Sequence, residues 1–203
     1  MEKGIKSRRK ILEVAFKLFA AYSYPDVSYS LLEEASGISR GSMVYYFNNK
    51  EGIFRAVLEA FLFNMGSAKQ VPEEDRKTLK GFFNAFVDQI HKDAQALKPF
   101  RIPNLSDARF TIERSALQFV PEFREEQRKV TREDIEVWKG VIANAAASGE
   151  IHSDINVEEV AHLFYAICCG WLYTGIYNKE STEQKLESLR TLFESQYKLI
   201  ANN

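Results

Sequence analysis

Apolar residues recur at helical spacing along almost the whole chain, and that spacing predicts its elements. Between Arg9 and Tyr22 they fall at Leu12, Ala15, Phe16, Phe19 and Ala20. A second stripe runs through Ile11, Val14, Leu18 and Tyr22, so this helix is covered on more than one side. Pro25 ends it. A short helix follows over Ser28–Ser36, started either by Ser28 as N-cap or by Ser30 with Glu33 as a capping box. Gly37 stops that helix, and Ser39 can cap the next, Arg40–Phe47, which ends at Asn48 and Asn49. Phe54, Val57, Leu58, Phe61, Leu62 and Met65 then mark a longer helix from Lys50 to about Met65.

The segment from Gly66 to Pro72 breaks the pattern and is the best boundary in the chain. Beyond it, Leu79, Phe82, Phe83, Phe86, Val87 and Ile90 predict another amphipathic helix. Pro99 and Pro103 precede a helix from Ser106 to Val120, and Pro121 opens a long one closed by Gly149, with Trp138, Val141, Ile142 and Ala145 inward. Val157–Tyr177 is apolar on nearly all sides after its first turn. A last helix, Thr182 to Ile200, carries Leu186, Leu189, Phe193 and Ile200 on one stripe. The prediction is an all-α chain of about nine helices without strands or repeats. Residues 1–50 form a three-helix head, 50–65 a linking helix, and 66–203 a larger helical domain.

Composition narrows the class. With 203 residues, 45% of them apolar, the chain can bury a real core without a covalent staple. Net charge is −1, but its distribution is uneven: residues 1–55 hold nine Lys/Arg against six Asp/Glu, the remainder eighteen against twenty-two. A basic end on an acidic body suits phosphate neutralisation by the head. No run reaches the roughly 18 apolar residues of a membrane helix, so no membrane association is expected. Cys168 and Cys169, adjacent in an apolar stretch, exclude a disulfide framework and place the protein in the reducing cytoplasm. Neither they nor His162 complete a ligand set, so neither a metal nor a cofactor is expected. Paired carboxylates, a Ser/His/Asp arrangement and a Gly-rich phosphate loop are likewise missing, which argues against an enzyme.

Ser28–Phe47 reads as helix, tight turn, helix, with Gly37 supplying a positive φ and Ile38 plugging the angle. Ser39 would cap the second helix and leave its first-turn N–H groups facing outward, where they favour a phosphate. Such a helix enters the major groove with its N-terminal side chains on base edges. Here these are Arg40 and Ser42 for hydrogen bonds, Val44 for a thymine methyl, and Tyr45 and Tyr46 for phosphates. Gly41 costs about 1 kcal/mol in a helix interior, and close approach of a backbone, DNA included, is the usual compensation.

The stretches Arg9-Lys10-Ile11-Leu12, Ala35-Ser36-Gly37-Ile38-Ser39-Arg40-Gly41-Ser42-Met43-Val44-Tyr45-Tyr46-Phe47 and Lys50-Glu51-Gly52-Ile53-Phe54 together resemble the N-terminal domain of the tetracycline-repressor (TetR) family, over about residues 8–60. The resemblance implies a homodimer on a palindromic double-stranded operator, acting as a repressor. It also implies a C-terminal domain that binds a small-molecule effector and dimerises through its last two helices. By position it puts Ser28, Ser30, Arg40, Ser42, Val44, Tyr45, Tyr46 and Lys50 at DNA, with Lys50 on a phosphate; Ser39 and Gly41 are expected there from the turn and close-approach arguments above. Three positions depart from the family pattern. Val44 stands where tyrosine is usual, Glu33 where a small residue is usual, and Ser23 where a turn glycine is usual.

In the second domain, Phe86, Phe110, Arg114, Trp138 and Phe164 are expected to line a pocket, Arg114 as partner of an anionic ligand. Ala166, Gly170, Leu189 and Phe193 are expected at the dimer contact, with Ala166 and Gly170 letting a partner helix come close. The alternative is that this domain binds a protein partner rather than a small ligand.

Overall fold

The computed structural model describes residues 2–63, 65–178 and 180–202, and among them the chain forms nine α-helices. These are α1 (Glu2–Ala21), α2 (Tyr29–Ser36), α3 (Arg40–Phe47), α4 (Lys50–Phe61), α5 (Leu79–Leu97), α6 (Leu105–Phe119), α7 (Phe123–Ala147), α8 (Val157–Thr174) and α9 (Thr182–Lys198). Most helices start at a side chain that accepts an otherwise unsatisfied N–H: Ser28, Ser39, Asn49, Asn104, Asn156 and, in a full capping box with Gln184, Ser181. Of the two starts open for α2, Ser28 is used, its hydroxyl accepting from Leu31 N at 3.1 Å. Glu33 is left for another partner.

Helix ends differ where the sequence carried no periodic signal. Helix α1 begins at Glu2 instead of Arg9; its first turns have no apolar stripe, and Ile5 is 66% exposed. Helix α4 stops at Phe61 instead of Met65, because Leu62 and Phe63 both donate to Leu58 O and Gly66 turns left-handed at φ 66°.

The chain divides into two compact units, residues 1–64 with 97–127 and residues 65–96 with 128–203. This differs from a single cut near residue 65. Helix α6 packs along α1, and Tyr24 ties it down, donating its backbone N–H to Ser115 Oγ at 3.2 Å with its ring 5.3 Å from Phe119. A long-range pairing of this kind has no signature in local periodicity. Ile11, Ala15, Phe19, Leu32, Met43, Phe47, Ile53, Phe54 and Val57 are buried in this unit, with Phe19 and Phe54 edge to face at 4.7 Å.

The second unit is built around Trp138. Its indole stacks on Phe164 at 5.1 Å and meets Phe82 edge-on at 4.7 Å and Phe86 at 5.6 Å, with Phe193 at 5.5 Å. Two expectations change here. Phe86, Trp138 and Phe164 are at most 2% exposed and packed on one another, whereas Phe110 and Arg114 are exposed on α6 in the first unit. The five residues expected to line one pocket therefore do not share a unit. Leu189 and Phe193, expected at a dimer contact, are fully buried in this core. Their stripe on α9 faces inward, and the outward positions of that helix are others, such as Leu192. Ala166 and Gly170 are exposed, and a Cβ on Gly170 would meet nothing within 4 Å.

Candidate nucleic-acid interface

Helices α2 and α3 are joined by the tight turn the sequence predicts. Gly37 sits at φ 66°, ψ 20° and donates its N–H to Glu33 O at 2.7 Å, while the buried Ser36 hydroxyl accepts from Ile38 N at 3.1 Å. Ser39 Oγ accepts from Ser42 N at 3.4 Å and lies 3.1 Å from the Ser42 hydroxyl. Met43 and Phe47 anchor α3 on the core of the head. The opposite side therefore faces solvent: Arg40, Gly41, Val44 and Tyr45 are exposed, Tyr45 at 81%. Ser42 and Tyr46 are half-buried on its flanks.

The exposed row has a fixed setting. The Arg40 guanidinium lies 4.6 Å from the centroid of Tyr29, which holds the start of the row over α2. Tyr45 and Tyr46 meet edge to face at 5.1 Å, and Arg8 of α1 covers the Phe47 ring at 5.1 Å. A Cβ on Gly4 would stand 3.2 Å from the Tyr46 hydroxyl, so the N-terminal turn of α1 lies against this aromatic pair. A Cβ on Gly41 would meet nothing within 4 Å; no part of the described chain requires glycine there. Ser28 and Ser30 are both exposed at the start of α2, Ser28 engaged in capping.

Two residues behave differently from the sequence reading. The first-turn N–H groups of α3 are not all turned outward: Arg40 N donates to the Glu33 carboxylate, and Ser42 N to Ser39. Lys50, expected on a phosphate, directs its ammonium inward, 3.0 Å from the carbonyls of both Tyr24 and Val27 and 4.3 Å from the Tyr24 ring centroid. Partial burial pulls its pKa below the usual lysine value, with Asp26 opposing the shift, and burial likewise raises the Tyr24 hydroxyl. Arg8 and the Glu33–Arg40 link were missed from sequence. Each joins residues brought together by a turn or by a neighbouring helix, and neither has a fixed sequence spacing to betray it.

The head geometry has a counterpart in known sequences. Residues 11–57 match the profile described as bacterial regulatory proteins, tetR family. The chain is 41% identical over 56 residues to the HTH-type transcriptional repressor AcnR of Corynebacterium efficiens, a match covering 28% of this chain and 30% of that protein. It is 23% identical over 155 residues to the HTH-type transcriptional repressor KstR2 of Rhodococcus jostii, covering 74% of this chain and 71% of that one. Its fold superposes on the crystal structure of a putative TetR-family transcriptional regulator from Rhodococcus sp., with TM-score 0.70 and 16% identity over 96% of this chain and 98% of the other. The family profile thus covers the head alone, and the match to AcnR spans less than a third of that protein's length. The family likeness is therefore carried by residues 11–57, which match the tetR family of bacterial regulatory proteins.

Proposed function

We propose that this chain is a DNA-binding transcriptional repressor that acts in the cytoplasm as a homodimer on a palindromic operator and is released by a small-molecule effector bound in its second unit. The observation that carries the reading is the solvent-facing row Arg40, Gly41, Val44 and Tyr45 on a short helix braced from behind by Met43 and Phe47. That is the geometry by which a reading helix presents its N-terminal residues to base edges. In this reading Arg40 and Ser42 take bases, and Val44 takes a thymine methyl. The Tyr45, Tyr46, Ser28 and Ser30 hydroxyls position the phosphates.

The dimer is supported by exposed apolar residues on the two C-terminal helices, which pack on each other: Leu163 and Tyr173 of α8 and Leu192 of α9, around Ala166 and Gly170. The effector acts by binding two states of the dimer unequally. The ring-to-ring packing of Phe86, Trp138 and Phe164 favours a second reading of this unit alone, in which a protein partner replaces the small ligand.

Selection of bound sequences from a random duplex pool tests the proposal. A palindrome with two half-sites and affinity that falls with salt is the expected result. Binding that neither selects a sequence nor responds to salt would overturn it.

A further inference from the structure

Helix α3 presents its N-terminus on the side where DNA is to be read, and that end already holds an anion. The Glu33 carboxylate, one turn from the end of α2, reaches across the Gly37 turn and accepts the backbone N–H of Arg40, the first residue of α3. Ser39 takes a second first-turn donor, Ser42 N. Glu33 is half-exposed, and its carboxylate pairs with no cation among the described residues. The Arg40 guanidinium, the nearest cation in the sequence, is engaged over Tyr29. A negative charge that makes no ion pair is therefore fixed at the positive end of the reading helix, with the Lys10 ammonium beside the turn, 4.0 Å from where a Cβ on Gly37 would stand, in the position where a backbone phosphate would gain most from the helix dipole.

We propose that Glu33 is a specificity-determining residue, a built-in anion that denies a DNA phosphate the N-terminus of the reading helix and so suppresses sequence-independent binding. The inference rests on the DNA-reading role of α3. Its physical basis is like-charge juxtaposition. A phosphate approaching this end meets a carboxylate that cannot leave without exposing Arg40 N, so attraction of the DNA backbone to this end is discounted. Contacts from Arg40, Ser42 and Val44 to the correct bases are made beyond this end and keep their value. The discount is heaviest for a non-specific complex, which is held by phosphates alone, and lighter for a complex held in register by base contacts.

The test compares Glu33→Gln and Glu33→Ala with the unaltered chain on two probes, a random-sequence duplex and the duplex recovered by selection, across a salt series. Glu33→Gln keeps an oxygen acceptor for Arg40 N and removes the charge. It is expected to bind the random duplex roughly 3- to 30-fold more tightly, from the usual worth of an anion at a helix end counted once per head of a dimer. Its log–log salt dependence should steepen by about 0.9 for each phosphate admitted. Affinity for the selected duplex should rise less, so the ratio between the two probes narrows. Glu33→Ala should show the same gain on random duplex with a lower melting temperature, because the cap is lost as well. Unchanged random-duplex affinity and slope in Glu33→Gln, or weaker binding to both probes, would overturn the proposal while leaving α3 a DNA reader. Failure of the unaltered chain to bind either duplex would overturn both.

Discussion

Lys50 and Tyr24 form a brace that the head uses internally: the ammonium donates to the Tyr24 carbonyl at 3.0 Å and lies 4.3 Å from the centroid of the same residue's ring. A second bond to Val27 O, also 3.0 Å, holds the segment between α1 and α2 against the start of α4. With two of its three donors used in this way, Lys50 has one left for a phosphate. Lys50→Gln should therefore lower the unfolding free energy of the free protein by about 1–3 kcal/mol, read from urea denaturation without DNA. A variant as stable as the parent but weaker on DNA would make Lys50 a phosphate contact and nothing more.

Gly41 and Gly52 separate two uses of glycine. A Cβ on Gly41 meets nothing, so Gly41→Ala should stabilise the free protein by about 1 kcal/mol through helix propensity. If DNA is what approaches this position, the same variant loses operator affinity. Thermal melts and fluorescence anisotropy should move in opposite directions, and an affinity equal to the parent's would remove Gly41 from the interface.

At Gly52 the constraint is internal, since a Cβ there would stand 1.9 Å from the Phe47 carbonyl oxygen. That oxygen belongs to the end of α3, and Asn49, between the two, caps α4 on Gly52 N at 2.7 Å. Gly52→Ala should destabilise the head by roughly 1–3 kcal/mol, as overpacking does, with loss of DNA binding following the loss of folded head. Denaturant midpoints measure this directly.

Asp134 carries a pH dependence. Burial raises its pKa above the ordinary 3.8, against the stabilising pull of the Ser67 hydroxyl at 2.7 Å and the N–H groups of Ala68 and Lys69. The folded state then holds this proton to a higher pH than the unfolded chain does. Its contribution to stability is fullest below 3.8 and declines as pH rises through the raised folded value. Asp134→Asn should abolish that decline, so the stability of the parent falls relative to the variant as pH climbs from 3.8. Parallel stability–pH curves would contradict the assignment.

The outward and inward sides of the C-terminal helices should respond differently. Gly170→Glu, in open space on α8, should convert a dimer to monomer in sedimentation while each subunit stays folded. Leu189→Ala, fully buried, should instead cost about 2–5 kcal/mol of stability. A monomeric parent, or a Gly170→Glu dimer as tight as the parent's, would remove α8 from the interface.

Helix positions were legible because periodic apolar residues must face a core whatever the topology, and caps such as Ser39 and Gly37 act within a few residues. Helix α3 was legible for the same reason: its turn, its cap and its outward row all lie between Ser36 and Phe47. What tertiary structure alone decided are relations between segments far apart in sequence. Helix α6 joins the N-terminal unit through Ser115 and Phe119 on Tyr24, Lys50 turns inward to two carbonyls, and Leu189 and Phe193 are used up around Trp138. An apolar stripe says that a helix face is covered, but a core and a partner subunit cover it by the same physics. Only the arrangement of the other helices determines which of them does so.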